Sequence, residues 1–494
     1  MMVRDLHTIL KHLEIDAARL MVNELRLDSR DVKPGDVFVA IKGHQLDGGH
    51  FISKAIENGA SAIIADRLCE FESDFEPLYL VSELNKKLPV LASQFYQQPS
   101  KHLDLVGVTG TNGKSTTTAM IAHLAQFCHT QAAIIGTLGY GHPDNLTPLQ
   151  NTTPSAVDLQ RILSDLKNEQ HQLVAMEVSS HGLVQHRVDQ CYFKAAVFTN
   201  LSRDHLDYHG DMQSYGDAKL MLFRDFDADY VILNQDDGQA EQWIEKYSFN
   251  SLICYGRKNL APKNAQFVYF SDVQYSATGI SAQLTTSWGD VAIKSPLFGE
   301  FNLYNLTAAL ATLLALGYPL TQLVAGCEYL QPVAGRMQAF TAPSVPTCVV
   351  DYAHTPDALA LALQALQQHV PGGVSCVFGC GGDRDKGKRV LMAQAAEQFA
   401  DKVIITSDNP RSEDPNDIIN DVAAGLEHPE NAHLEADRGA AIQFAIDNAK
   451  AGEVILIAGK GHEDYQIIGD TRIAFCDRQF VQQQLKKALR GTQA

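Results

Sequence analysis

An apolar run long enough to cross a bilayer is missing from this sequence, so membrane insertion is not expected. The first 20 residues also lack the apolar core of a secretory signal, because Arg4, Asp5, His7, Lys11 and Glu14 interrupt them. The expected location is the cytoplasm. Positive charge is scarce: 40 Lys and Arg stand against 58 Asp and Glu, a formal net charge of -18. A field of that sign repels nucleic acid and anionic lipid, so no nucleic-acid partner is expected. An anionic small molecule would have to be held by local Arg or Lys side chains, metal ions or helix N-termini. The nine cysteines are odd in number and contain no Cys-x-x-Cys pair, as in a cytosolic protein with reduced thiols. Cys376 and Cys380 read as core residues or as two ligands of a metal, but no second pair with zinc-site spacing accompanies them. Repeats and low-complexity segments are absent too, which leaves solenoids and disordered chains aside.

What is present is an ordinary globular composition, 45% hydrophobic and 20% charged, over a length that calls for more than one core. The pattern divides into three α/β domains, expected at 1–88, 89–335 and 336–494. The first has short strands at 36–41 and 61–65 around a helix near 50–58, with a link expected at 84–89. In the second, apolar runs at 103–108, 132–138, 173–178, 195–199 and 230–233 alternate with helical patterns at 115–127 and 155–166. Such alternation predicts a mostly parallel sheet covered by helices on both faces. The third repeats the scheme, with strands at 348–352, 375–378, 402–406 and 454–458 and helices at 357–369 and 390–399. The fold class is therefore α/β: a small N-terminal domain, a central mononucleotide-binding domain and a C-terminal Rossmann-like domain. Polar, glycine-rich clusters follow the apolar runs almost without exception, and open parallel sheets bind ligands beyond the carboxyl ends of their strands. Two such edges, one per domain, are expected to face a shared cleft.

The sharpest cluster is Gly107-Val108-Thr109-Gly110-Thr111-Asn112-Gly113-Lys114-Ser115-Thr116, between a strand and a helix. Glycines there let backbone N–H groups turn around phosphate oxygens, and the helix N-terminus adds positive potential. Lys114 would meet the β/γ-phosphates and the Ser115 hydroxyl would meet Mg²⁺. Val108 takes the place of the first glycine of the strict pattern, so a plain helix-capping turn is the competing reading. Glu177, at the end of the run 173–178, reads equally as a Mg²⁺ ligand or a surface acid. The segment 200–210 packs acids with His205 and His209, a density of metal-competent groups that favours Mg²⁺ over zinc because no cysteine joins it.

These motifs resemble those of the Mur ligases. The resemblance rests on 110–116, on Glu177-Val178-Ser179-Ser180-His181, on 200–207 and on Asp351-Tyr352-Ala353-His354-Thr355-Pro356-Asp357. Gly381-Gly382-Asp383-Arg384-Asp385-Lys386-Gly387-Lys388-Arg389 and Asp408-Asn409-Pro410-Arg411 extend it through all three domains in order. It implies an ATP-dependent carboxylate–amine ligase that joins meso-diaminopimelate to UDP-N-acetylmuramoyl-L-alanyl-D-glutamate through an acyl phosphate. Two Mg²⁺ ions are implied, and the chain is expected to act as a monomer on these small molecules.

By the same resemblance, the phosphate loop Gly110, Thr111, Asn112, Gly113, Lys114, Ser115 and Thr116 would hold ATP, with Asn305 near the adenine and Arg336 and Asp351 on the nucleotide. Lys114, Glu177, His205 and Lys219 would be catalytic. Lys219, which from sequence alone is a solvated helix lysine, matches a lysine carbamylated in the family and would join Ser115, Glu177 and His205 around the metal. The sugar nucleotide would meet Leu27, Ser29, His44, Gln45, Leu46, Asn151, Thr152, Thr153, Ser179, Gln185 and Arg187; Leu27 otherwise reads as core and Thr152 as a helix cap. The amino acid would meet Arg384, Asp408, Asn409, Pro410, Arg411, Gly459 and Glu463. Diaminopimelate carries one carboxylate more than lysine, and the guanidinium of Arg411 can pair with it bidentately. The alternative is a turn at Asn409-Pro410 followed by a surface charge.

Overall fold

The computed structural model describes residues 4–43, 46–257, 262–341, 345–370 and 372–491. The chain packs as two compact units, one of Met1–Phe267 with Ala308–Tyr318 and one of Val268–Thr307 with Pro319–Ala494.

The first unit begins with a four-stranded parallel sheet ordered Leu25–Arg26, Val37–Ala40, Ala62–Asp66, Leu78–Val81. Strand alternation separates its residues into two cores: Val37, Val39 and Ile64 on one face, Phe38, Ala40 and Ile63 on the other. The link expected at 84–89 is instead helical. Helix Leu84–Phe95 buries Leu84, Leu88, Leu91 and Phe95, a three-to-four spacing that closes the first core. Its few charged residues, Lys86 and Lys87, sit on the outer face and do not break it. The chain leaves this domain later, through Gln97 and Gln98 in left-handed conformations and a turn at Pro99–His102. Ala156 and Val157 of helix Ala156–Asn168 complete the same core, so the N-terminal domain is seated on the central one by apolar packing.

The central sheet of this unit runs in the order Asn145–Thr147, Gly139–His142, Ala132–Gly136, Leu173–Glu177, Asp104–Thr109, Ala195–Phe198, Tyr230–Asn234, Leu252–Gly256. Its last six strands are parallel, and their carboxyl ends are in register: Glu177 lies abreast of Val108, and Phe198 abreast of Thr109. Five expected strands and the helices Lys114–Phe127 and Ala156–Asn168 appear where the apolar periodicity put them, within a few residues at each end.

The second unit opens on an antiparallel meander, Gln266–Ser276, Gly279–Thr286 and Val291–Ser295. None of these strands is among those expected from the sequence, although Phe267-Val268-Tyr269-Phe270 form a short apolar run and the second strand alternates buried with exposed residues, as a half-exposed strand does. A six-stranded sheet follows in the order Gln338–Phe340, Thr347–Asp351, Val454–Ala458, Val374–Phe378, Lys402–Thr406, His433–Glu435, antiparallel only at the first pair. Its central strand shares its residues between two cores, Val454, Leu456 and Ala458 on one face and Ile455 and Ile457 on the other. This is the doubly wound sheet expected of a Rossmann-like domain.

Candidate functional site

At the carboxyl edge of the central sheet, Gly110 and Gly113 both have positive φ, 149° and 86°, so the chain can turn sharply between strand and helix. A Cβ on Gly110 would strike the Thr199 hydroxyl. The loop is held from the next strand: Thr199 Oγ1 donates to Asn112 O at 2.6 Å, Asn112 N donates to Asn200 Oδ1 at 3.0 Å, and Thr111 N donates to Asn200 O at 2.8 Å. Lys114 folds back over it and donates to Gly110 O and Thr111 O, both at 2.8 Å. Ser115 and Thr116 occupy the first turn of the following helix, partly exposed. Gly110 to Thr116 thus form a glycine-bounded turn that leads into the helix at Gly113, where no side chain caps it.

Glu177 is 2% exposed, which excludes the surface-acid reading. Its carboxylate accepts from Thr137 N at 2.9 Å and Thr137 Oγ1 at 3.2 Å. Gly136 faces it so closely that a Cβ there would collide with the carboxylate. Thr137 carried no sequence signal; only its register beside Glu177 reveals it. From Glu177 a chain of contacts runs through the residues expected to meet the sugar nucleotide. Thr137 Oγ1 meets Thr152 Oγ1 at 3.0 Å, Thr153 Oγ1 donates to Glu177 O at 3.0 Å, and Ser179 N donates to Thr153 Oγ1 at 3.0 Å. Arg187 donates to Thr153 O at 2.7 Å and to Gln185 Oε1 at 2.6 Å. Asn151 is exposed beside them. Thr152 is not a helix cap; Ser155 caps that helix.

In the N-terminal domain, Ser29 is buried and its carbonyl accepts from Asn58 at 2.8 Å. Leu27 is partly buried against the first core, and Leu46 is 69% exposed, which leaves its side chain free to touch a ligand. His44 and Gln45 lie outside the described residues.

Lys219 is the largest departure from the residue-by-residue reading. Taken as a solvated helix lysine, it is instead 1% exposed, its amine donating to Gly110 O at 2.9 Å and lying 4.3 Å from the centre of the Tyr215 ring. Burial, helped by the charge of Lys114, pushes its pKa well below the ordinary lysine value. Helical spacing of four puts Tyr215 and Lys219 on one face, and Tyr215 OH reaches Thr111 Oγ1 at 3.2 Å. His205, at φ 54°, starts the short helix Leu206–His209, with its ring 5.0 Å from that of His181 and 6.0 Å from that of Tyr215. His209 closes this aromatic group by bonding Ser180 Oγ at 2.9 Å.

In the second unit, Asp351 ends its strand and accepts from Met337 N at 2.6 Å and Ala353 N at 2.8 Å. The Arg336 guanidinium stacks on Tyr352, 4.6 Å from the ring centre. Asn305 is buried in helix Glu300–Ala315 and donates to Asn302 at 3.3 Å. At the same sheet edge, Asn409 donates to Glu463 Oε2 at 2.9 Å, and Gly459, at φ 111°, leaves room for the Asp408 carboxylate. Asp408 is half-buried and burial raises its pKa, against the charges of Arg438 and Lys460. Arg411 is not a loose surface charge. It has φ 52°, its N–H donates to Ile467 O at 3.0 Å, and its Nη1 donates to Gly382 O at 2.8 Å. Pro410 is buried before it, while Arg384 is exposed on the loop 381–387.

That loop is tied down by residues to which the sequence reading gave no role of their own. Arg389, 1% exposed, donates to Glu413 at 2.8 Å and Asp421 at 2.7 Å, and Glu413 in turn accepts from Asp383 N at 2.7 Å. Arg438 and Asp477, both fully buried, pair at 2.8 and 2.7 Å beneath the strand ends, with Arg438 also donating to Ser407 O and Ala458 O. Cys376 and Cys380 are core residues, and among the described residues no three His, Cys, Asp or Glu side chains converge as a metal set.

A glycine-bounded turn between strand and helix beside a buried carboxylate, followed by a doubly wound sheet with its own polar edge, is the architecture of an α/β protein whose polar residues gather at the carboxyl ends of its strands. The comparisons with known proteins narrow the class. The chain matches the Mur ligase family catalytic domain over residues 22–96, the Mur ligase middle domain over 108–313 and the Mur ligase glutamate ligase domain over 335–461. A solved UDP-N-acetylmuramoyl-L-alanyl-D-glutamate–2,6-diaminopimelate ligase is 38% identical, with 99% of each chain covered and a TM-score of 0.73. A UDP-N-acetylmuramoylalanyl-D-glutamyl-2,6-diaminopimelate–D-alanyl-D-alanyl ligase from Acinetobacter baumannii is 20% identical over 93% of this chain and 96% of that one, at a TM-score of 0.67. A folylpolyglutamate synthase from Mycobacterium tuberculosis shares the fold at 17% identity and a TM-score of 0.60, over 74% of this chain and 91% of the other. The chain belongs to the Mur ligase family, whose members are ATP-dependent enzymes that form amide bonds.

Proposed function

We propose that this enzyme joins meso-diaminopimelate to UDP-N-acetylmuramoyl-L-alanyl-D-glutamate at the expense of ATP, yielding the tripeptide precursor of peptidoglycan, ADP and phosphate. The observation that carries the reading is the 38% identity to a ligase of that title over 99% of both chains, together with Arg411 held at a strand end. The synthase likeness, which spans 74% of this chain, does not account for the whole molecule.

In this reading the free glutamyl carboxylate takes the γ-phosphoryl group of ATP, and the acyl phosphate then yields to the diaminopimelate amine as phosphate leaves. Backbone N–H groups from Gly110 to Ser115 cradle the phosphates, and Lys114 moves from its loop carbonyls to the β/γ-phosphate oxygens. Asn305, Arg336 and Asp351 hold the nucleotide. Leu27, Ser29, His44, Gln45, Leu46, Asn151, Thr152, Thr153, Ser179, Gln185 and Arg187 hold the sugar nucleotide, and the bonds from Arg187 and Ser179 through Thr153 to Glu177 couple it to the reacting end.

The residues around the loop fit a divalent cation bound through oxygen. The Ser115 hydroxyl sits at the helix N-terminus, Glu177 offers a buried carboxylate, and His205 lies on the loop that follows strand Ala195–Phe198; phosphate oxygens and water would complete the shell, as Mg²⁺ prefers. Two such ions would offset the repulsion between phosphate and carboxylate when bound. Lys219 suits carbamylation, because burial favours its neutral amine. The nitrogen lone pair attacks CO₂, the N–C bond forms, and one proton leaves, converting a would-be cation into an anionic oxygen ligand. The enzyme acts as a cytoplasmic monomer.

The test is phosphate release with ATP, Mg²⁺ and the muramyl dipeptide, comparing meso-diaminopimelate with L-lysine. Release that depends on diaminopimelate, with tripeptide formed, is expected. Release with lysine alone overturns the specificity, and release with neither overturns the reaction.

A further inference from the structure

Lys460 is a buried cation that the reaction above does not use. It is 0% exposed, and it lies between Gly459 and Gly461, both in left-handed conformations at φ 111° and 51°. Neither glycine has room for a side chain: a Cβ on Gly459 would meet the Asp408 carboxylate, and one on Gly461 would meet Gly335 and Tyr352. The turn therefore has little freedom, and it aims the Lys460 ammonium inward beneath the sheet edge.

There the ammonium meets two of the residues assigned above to the amino acid. Nζ donates to Glu463 Oε2 at 3.0 Å and to Asn409 Oδ1 at 3.3 Å. Asn409 Oδ1 also accepts from Ile467 N at 3.0 Å, which leaves its amide only one orientation, with Nδ2 donating to Glu463 Oε2 at 2.9 Å. Both side-chain donors thus converge on the same carboxylate oxygen. Among the described residues no protein donor reaches Oε1 of Glu463.

We infer that Lys460 is a positioning residue for amino-acid selection: with Asn409 it clamps Oε2 of Glu463, so that Oε1 is presented to an ammonium group on the far end of the substrate. The inference rests on the amino-acid-binding reading of Glu463. A carboxylate with one oxygen tied and one open accepts from an ammonium in a fixed direction, and a substrate with no amino group at that end leaves Oε1 unsatisfied. The clamp thus adds a demand for the far amino group to the demand for the far carboxylate that Arg411 makes.

The experiment compares meso-diaminopimelate with an aminopimelate that has the far carboxylate but not the far amino group. Wild-type enzyme prefers diaminopimelate. Lys460→Met raises KM for diaminopimelate about tenfold, the loss expected when a charged hydrogen-bond acceptor loses its fixed direction. KM for aminopimelate and for ATP stays within about twofold, because neither engages Oε1. Lys460→Gln, which keeps a donor without the charge, recovers part of the preference. Equal loss with both amino acids would make Lys460 a structural residue only, and an unchanged preference would remove the clamp altogether. If thermal unfolding shows that neither Lys460 variant folds, Asn409→Ser carries the same test from the other side of the clamp, and an unchanged preference there overturns the inference. Wild-type enzyme that releases phosphate with neither amino acid sinks the ligase reading instead.

Discussion

Replacing Arg411 by alanine removes the guanidinium assigned to the far carboxylate of diaminopimelate, and the structure sets the size of the loss. The backbone of Arg411 is anchored on both sides, by its own N–H to Ile467 O and by Gly469 N to its carbonyl, so the position does not move when the side chain goes. The bonds to Gly382 O and Asn409 O both come from Nη1, at 2.8 and 3.4 Å. That leaves Nε and Nη2, the side of the fork that pairs bidentately with a carboxylate. Two charge-assisted bonds contribute about 1.5–3 kcal/mol each. Water entering the shortened pocket returns part of this, so the net loss is about 3 kcal/mol, or roughly two orders of magnitude in kcat/KM. Steady-state kinetics with meso-diaminopimelate and L-lysine measure it: kcat/KM for diaminopimelate falls by that factor while the value for lysine does not fall. Arg411→Lys recovers little, since an ammonium cannot form the fork. A fall of less than about threefold in Arg411→Ala would refute the reasoning, because it is smaller than one such bond.

Other perturbations test the supporting structure. Gly136→Ala pushes a methyl group into the buried Glu177 carboxylate, and displacing it costs about 1–3 kcal/mol; calorimetry should show lowered stability, and the Mg²⁺ concentration for half-maximal activity should rise. Arg438→Met strands Asp477 in the core, a loss of about 3–5 kcal/mol, while the double change with Asp477→Leu restores most of it; urea denaturation of both variants decides. Glu413 is held by the Arg389 guanidinium, which lowers its pKa from 4.5 to about 2. A carboxylate depressed on folding stabilises the fold fully above its unfolded pKa and stops doing so as pH falls through the folded one. Hydrogen exchange in the loop 381–387 should therefore accelerate between about pH 4.5 and pH 2 relative to its neighbours, and Glu413→Gln should remove that dependence.

The local sequence settled what depends on local physics. Apolar runs long enough to be buried on both faces became the parallel strands, and glycines beyond them became the turns, so the strand–turn–helix segment around Gly110 to Thr116 was legible without coordinates. The meander at 266–295 went unread, although the apolar run 267–270 and the alternation of Ile280, Ala282 and Leu284 with outward residues carry the period of a half-exposed strand; the sequence reading followed the fully apolar runs of buried parallel strands and gave this weaker pattern no weight. The helix across 84–95 was hidden by Asn85-Lys86-Lys87, three polar residues that lie outside an apolar stripe. Tertiary structure alone decided the burial of charge. Lys219 looks solvated in its own segment and Glu177 is undecided in its own, and each is buried with a partner far away in sequence, Gly110 for one and Thr137 for the other. The same holds for Arg438 with Asp477 and for Lys460 with Asn409, pairs separated by 39 and 51 residues. A side chain's type and spacing are written in its neighbours along the chain, but its dielectric surroundings and partners exist only after the strands are ordered, and those decide its charge and its chemistry.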